Sequence, residues 1–305
     1  MTKIVSACDS ACGGNPAGPG PSNQTGMKRR ARVMDAQRDA TTSLAMLDVT
    51  ERSDSADNNE VRRIQLVYTE RDRALKSNQV SPGRQRNLRE RNCTIERMLG
   101  ERQGRPLSEC RILDVGCGKG SLLAWFNERG VPSANLFGID LLPHRIKSAR
   151  EKFPEFSFIE GSAEQIGFPD ASFDIVVAFT MFSSILDGTM AKSVAQSIIR
   201  VLKKNGAVVW HDMRYPNPVN PNVRAMTKSR IRELFPSFEL ELELIYLLPP
   251  IANHLGRFTD RTYQILASIP ALRSHYCGLL RPPRHLSISE IHRPDVGSRG
   301  VSRHA

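Results

Sequence analysis

Residues 111–120 read Arg-Ile-Leu-Asp-Val-Gly-Cys-Gly-Lys-Gly, a short apolar run that breaks into a glycine-rich turn. The run predicts a β-strand. Leu122 and Phe126, four apart on one helical face, predict a helix directly after the turn, with Gly130 as its C-terminal cap. Glycines at 116, 118 and 120 let the backbone turn tightly and approach a ligand with no Cβ in the way. Asp140 ends the next apolar stretch, residues 135–140, where a carboxylate can accept both hydroxyls of a ribose. A dinucleotide fingerprint would need glycine at 121, which is Ser121. Asp114, two residues before the first glycine, is awkward for a pyrophosphate and suits a cationic amino-acid group.

Outward from this turn, strand and helix signals alternate. Strands are expected at 111–115, 135–140, 156–160, 173–179 and 207–210, the fourth apolar along its length as a strand buried on both faces is. A helix is expected after Pro143, with Ile146, Ala149 and Phe153 on one face. Another is expected over 188–204, with Met190, Val194, Ile198, Val201 and Leu202 inward and Gly206 as its stop. This order gives an α/β fold with an open parallel sheet and helices on both faces. Beyond it, residues 238–244 alternate strictly as a half-exposed strand that Pro249-Pro250 breaks. An amphipathic segment follows around 259–271, and residues 275–280 form a final strand.

The flanks differ in texture. Residues 1–60 are rich in Pro, Gly, Ser and Asn and lack aromatics, so they are expected to be a disordered extension. Residues 61–106 are Arg-rich and read as a helical cap, interrupted at Ser81-Pro82-Gly83, with Leu88, Ile95 and Leu99 near one face. Residues 107–281 form the main domain, and the polar tail 282–305 is expected to be disordered.

The chain has 305 residues and a net charge of +11, with 6 scattered cysteines that show no CxxC pair. Neither a disulfide framework nor a metal site is expected. The longest apolar runs are about five residues where a membrane span needs about twenty, so no transmembrane segment and a cytoplasmic location are expected. The charge is uneven. Residues 107–215 are neutral, whereas 60–106 carry a net +6 and 216–305 a net +5. The excess therefore sits on the segments flanking the domain, which weakens a nucleic-acid partner and favours an anionic acceptor or a membrane-surface substrate.

S-adenosylmethionine carries an amine and no phosphate, and so fits the Asp114 turn. The successive segments RILDVGCGKG, FGIDLLP, EGSAEQIGFPDASFDIVVA and RVLKKNGAVVWHD resemble, in that order, the motifs of class I S-adenosylmethionine-dependent methyltransferases of the ubiquinone/menaquinone type. The run from Trp210 to Pro236 is also similar to a bacterial subgroup associated with glycan or secondary-metabolite pathways. The resemblance implies a Rossmann-like, mostly parallel seven-stranded sheet with one antiparallel strand near the C-terminus. It also implies roles for single residues. Asp114, Gly116, Cys117, Gly118 and Gly120 would wrap the methionine and ribose, Asp140 would hold the ribose hydroxyls, and Leu141 would lie against the adenine. Ser162 and Ala163 stand where the family has Asp-Ala at the adenine edge, and a hydroxyl there bonds the adenine amine less strongly than a carboxylate. Phe179 and Thr180 would flank the sulfonium.

Methyl transfer to oxygen also needs a positioned proton acceptor. Ligands bind at the carboxyl ends of parallel strands, so His211, Asp212 and Arg214 after the fifth strand are the catalytic candidates: a base, its neighbouring carboxylate, and a cation for an acidic substrate group. Residues 180–184 and a lid over 249–272 would shape the acceptor pocket. The function expected is O-methylation of a small molecule or glycan. The alternatives are a nucleic-acid methyltransferase, whose Asn/Asp-Pro-Pro-aromatic motif is missing after the fourth strand, and a non-catalytic S-adenosylmethionine-binding protein.

Overall fold

The computed structural model describes residues 57–74, 81–102, 105–255 and 259–283, so most of the expected N-terminal extension and C-terminal tail lie outside the described residues. Seven strands form one sheet: β1 (Ile112–Val115), β2 (Leu136–Asp140), β3 (Ser157–Glu160), β4 (Phe173–Phe179), β5 (Leu202–Met213), β6 (Glu239–Leu247) and β7 (Arg273–Arg281). Their order is β3-β2-β1-β4-β5-β7-β6. The pairs from β3 through β5 are parallel, and β7 runs antiparallel to both of its neighbours. Since β1 pairs with both β2 and β4, the chain reverses its direction of travel across the sheet there. A crevice opens at such a switch point, outside the carboxyl ends of the strands.

The described helices are α1 (Asp57–Ala74), α2 (Pro82–Arg102), α3 (Ser121–Asn127), α4 (Pro143–Lys152), α5 (Gly188–Val201), α6 (Lys228–Leu234), α7 (Pro249–His254) and α8 (Thr259–Ala267). They cover both faces, and the strands are apolar on both faces for that reason. Leu113, Val115, Val176, Ala178, Val208 and Trp210 pack with Val194 and Ile198 of α5 on one side. Ile112, Ile175, Val177 and Val209 alternate to the other side, against Ile95, Met98 and Leu99 of α2 and Ile146 of α4. Phe182 stacks on Trp210 at 5.1 Å, and both are fully buried.

Several local expectations shift. Helix α5 starts where the Asp187 carboxylate accepts from Met190 N at 2.7 Å, and it ends at Val201 rather than at Gly206. Leu202 already belongs to β5, and Gly206 lies in that strand, where a Cβ would come within 2.8 Å of the Asp174 carbonyl. Ser81-Pro82-Gly83 is the entry to α2 rather than an interruption within it, because proline suits a first helical turn. Pro249-Pro250 likewise opens α7 after β6 has ended. In α3 the inward residues are Leu123, Trp125 and Phe126, with Leu122 only half-buried.

Helix α1 begins at Asp57, so residues 57–60 belong to the folded part and not to a disordered extension. Glu60 explains this boundary. Its carboxylate pairs with Arg63 and accepts the backbone N–H groups of Leu186 at 2.6 Å and Asp187 at 3.3 Å, which holds its pKa below the usual value. Arg63 donates to the Ser184 carbonyl at 2.6 Å, and Tyr68 shares a hydrogen bond with the Ser184 hydroxyl. Asp72 forks onto Arg145 at the start of α4, at 2.7 and 2.9 Å.

Candidate active site

A cavity of about 690 Å³ lies over the carboxyl ends of β1, β2, β4 and β5, roofed by α1 and α2. The turn after β1 forms one end. Gly116, Gly118 and Gly120 have φ of +78°, +55° and +78°, a region that a Cβ disfavours. A Cβ on Gly120 would fall 2.7 Å from the Phe158 ring. One on Gly138 would meet Cys117 Sγ at 2.7 Å, so the buried Cys117 packs under the turn. Burial pushes its thiol well above the usual range, and it is a packed neutral group.

Asp140 is buried at the end of β2. Its Oδ2 accepts from Gly118 N at 2.8 Å and its Oδ1 from Leu142 N at 2.9 Å. Each oxygen keeps a lone pair, which is what two adjacent hydroxyls require. Asp114 is buried beside it, and burial together with the Asp140 charge raises the Asp114 carboxyl to about 7. Two carboxyl groups pressed together at the mouth of a glycine turn form a site that a cation would relieve. The residues present therefore fit the amine and the ribose diol of S-adenosylmethionine.

Asp140, Leu141, Ser162 and Ala163 line the cavity with Gly116. Ser162 caps a 3-10 turn at 163–165, its Oγ accepting from Glu164 N at 3.3 Å and contacting Glu164 Oε2 at 3.1 Å. Phe179 and Thr180 also line the cavity. Thr180 is held at φ +47°, costly for a β-branched residue, by its N–H bond to the His211 carbonyl at 2.7 Å.

The three residues after the fifth strand part company. His211 lines the cavity, 2% exposed, and burial drives its pKa well below the usual value. Strand alternation sends Asp212 to the other face, where its carboxylate accepts from Ser183 N at 2.9 Å and Met213 N at 2.8 Å. Burial raises that carboxyl to about 6. Asp212 is therefore no partner for the His211 ring. Arg214 lies outside the cavity lining, bonded to the Tyr215 hydroxyl and set 4.2 Å over the Tyr215 ring.

The other end of the cavity brings Tyr246, His275 and Arg91, which the sequence did not single out, up to His211 and Phe179, which it did. The rings of Phe179, Tyr246 and His275 surround His211, at 5.3, 4.8 and 4.9 Å. Tyr246 reaches it because the backbone turns to φ +61° inside β6, where the strict polar–apolar alternation gives no warning. Arg91 of α2 lies 5.1 Å over the Phe179 ring, and Arg71 and Arg84 also line the cavity. Among the described residues, none of these three arginines makes a salt bridge. The uneven charge of 60–106 was their signal in the sequence. Of the expected acceptor segments, Thr180, Met181, Ser183 and Ser184 line the cavity, as do Pro249 and Asn253, while Phe182 is core.

Residues 112–206 match the family described as a methyltransferase domain. A phthiotriol/phenolphthiotriol dimycocerosates methyltransferase of Mycobacterium leprae is 32% identical over 130 residues, 42% of this chain and 47% of that protein. A demethylmenaquinone methyltransferase of Chlorobaculum parvum is 38% identical over 112 residues, 36% of this chain and 44% of that protein. The chain thus spans less than half the length of these two curated relatives. A crystal structure of a protein from Pyrococcus horikoshii superposes with a TM-score of 0.47 and 17% identity, covering 69% of this chain and 94% of that one. With its sheet order and glycine turn, the matched segment is similar to a methyltransferase domain of the class I, S-adenosylmethionine-dependent kind.

Proposed function

We propose that the protein transfers a methyl group from S-adenosylmethionine to a hydroxyl oxygen of a small molecule. The observation that carries this reading is one continuous cavity with two unlike ends: Gly116 and Asp140 at one, with Asp114 buried beside Asp140, and aromatic rings and arginines at the other. When bound, S-adenosylmethionine supplies a methyl group already activated on a sulfonium. The chain's part is to hold, align and dry the reactants. Asp140 holds a diol, Asp114, buried behind the lining beside Asp140, adds negative charge for an ammonium, and Leu141 with Ala163 covers a flat base beside Ser162. Phe179 and Thr180, at the end of β4 beside His211, would flank the sulfonium. Helices α1 and α2 flank the cavity on the side away from the sheet.

By their names, the relatives above methylate phthiotriol or phenolphthiotriol dimycocerosates and demethylmenaquinone. That favours a small lipophilic acceptor over a glycan. Arg91, half-buried over the Phe179 ring, favours an acceptor with an anionic group, since a half-buried guanidinium seeks carboxylate or phosphate; Arg71 and Arg84 are exposed at the cavity rim. No described helix is long and apolar enough to cross a membrane.

The test combines calorimetry with S-adenosylhomocysteine and transfer of labelled methyl to a panel of phenols, hydroxy acids and glycans. Binding with transfer to a hydroxyl supports the reading. Binding with no transfer to any acceptor would favour a regulatory S-adenosylmethionine-binding protein, and no binding would remove the cofactor assignment.

A further inference from the structure

Ser274 Oγ contacts two groups at once. It donates to the Tyr246 carbonyl at 3.1 Å and lies 2.8 Å from His275 Nδ1. A hydroxyl has one hydrogen and a carbonyl can only accept. Both contacts are hydrogen bonds only if the Ser274 hydrogen goes to Tyr246 and His275 Nδ1–H donates to Ser274 Oγ. A neutral imidazole with its hydrogen on Nδ1 carries its lone pair on Nε2. His275 lines the cavity, its ring parallel to His211 at 4.9 Å and 9°.

We propose that His275, rather than His211, accepts the proton of the acceptor hydroxyl, with Ser274 as the positioning residue that fixes its tautomer. This rests on the hydroxyl-methylation reading above. His211 has no such support, because neither of its ring nitrogens has a hydrogen-bond partner and Asp212 points away. Histidines that work as bases have their second nitrogen held by another group. His211 serves as a flat wall against which His275 and the acceptor pack. Burial lowers His275 to about 4, so its ring is neutral at pH 7 and its lone pair is free. A weak base suffices, because the acceptor oxygen becomes acidic only as it attacks. The oxygen forms its bond to the methyl carbon while the methyl–sulfur bond breaks and its electron pair stays on sulfur. The hydroxyl proton passes to His275 Nε2, and the imidazolium then releases it to solvent.

The experiment uses the full chain labelled with 15N and long-range 1H–15N correlation of the histidine rings, with His275→Phe to assign the signals. The expected result is His275 in the Nδ1–H form. Adding 2-naphthol to the S-adenosylhomocysteine complex should move Nε2 of His275 and leave Nδ1 in place. Ser274→Ala should mix the tautomers while S-adenosylhomocysteine affinity stays within about twofold. With 2-naphthol as methyl acceptor, His275→Phe should lower kcat about a hundredfold or more, with KM little changed. An Nε2–H tautomer overturns the proposal. So does a 2-naphthol shift that falls on His211 or on neither ring, or an unchanged kcat. Absence of transfer to 2-naphthol bonded at Nε2 also overturns it. Failure of S-adenosylhomocysteine to bind would instead strike the functional reading, and the tautomer is measured on the protein alone.

Discussion

At one end of the cavity, Gly116 and Asp140, with Asp114 and Gly118 packed behind them, come from one strand–turn–helix–strand unit between residues 112 and 140. At the other end, Arg91, Phe179, His211, Tyr246 and His275 come from one helix and four strands. The first end is local in sequence and uses backbone geometry that only a few residue types allow. The second is assembled from distant residues, each of an ordinary type at an ordinary position. Class I sheets share the first kind of construction and can vary the second, which is how one fold serves many acceptors.

The comparison breaks most severely at Asp140. Asp140→Ala removes the acceptor for two backbone N–H groups as well as the proposed acceptor for the ribose hydroxyls. S-adenosylhomocysteine affinity should fall about a hundredfold or more by calorimetry, a loss of roughly 3 kcal/mol. Tyr246→Phe at the other end should leave it within about twofold. Equal losses would mean that the two ends are not separate sites.

Next comes pH. Asp114, raised to about 7, holds a proton in the free protein that it must lose to face an ammonium. Affinity for S-adenosylhomocysteine should therefore rise with pH and level off above about 7, changing about a hundredfold from pH 5, at a tenfold per unit. Asp114→Asn should flatten the profile. For stability the sign is opposite. A carboxyl with a raised folded value contributes fully below its unfolded value near 3.8, and that contribution is lost as pH rises through about 7.

Arg91→Met keeps the bulk over Phe179 and removes the charge. Binding of 4-hydroxycinnamate should weaken about tenfold while its methyl ester changes little, the difference expected for one charge-assisted contact. A matching loss of S-adenosylhomocysteine affinity would move Arg91 to the cofactor end and redraw the comparison. The smallest effect is expected at Asp212→Asn. Its carboxyl faces away from the cavity, so cofactor and acceptor affinities should each stay within about threefold. A larger change in either affinity would show that the Ser183 segment transmits strain into the site.

This contrast also explains what could be read in advance. The glycine turn, the acid ending β2 and the mostly parallel sheet announce themselves because local backbone geometry dictates residue type. The aromatic end does not, because which residues meet there depends on the β5–β7–β6 register and on a left-handed turn at Tyr246. His211 and Asp212 are neighbours in sequence and strangers in space, as alternation in a strand requires. His275 carries no local mark at all. Its chemistry depends on Ser274 being bonded to the carbonyl of Tyr246 across the β6–β7 pair.

The apolar face of α2 has a consequence for how the chain is made. Ile95, Met98 and Leu99 pack with Cys277 and Leu279 in one buried cluster. The helix leaves the ribosome about 180 residues before the strand it covers. At a typical 5–20 residues per second, that face waits roughly 10–40 seconds for its partner. During synthesis the roof of the site exists before the floor, and a nascent chain stalled anywhere before β7 presents an arginine-studded helix with its greasy side bare.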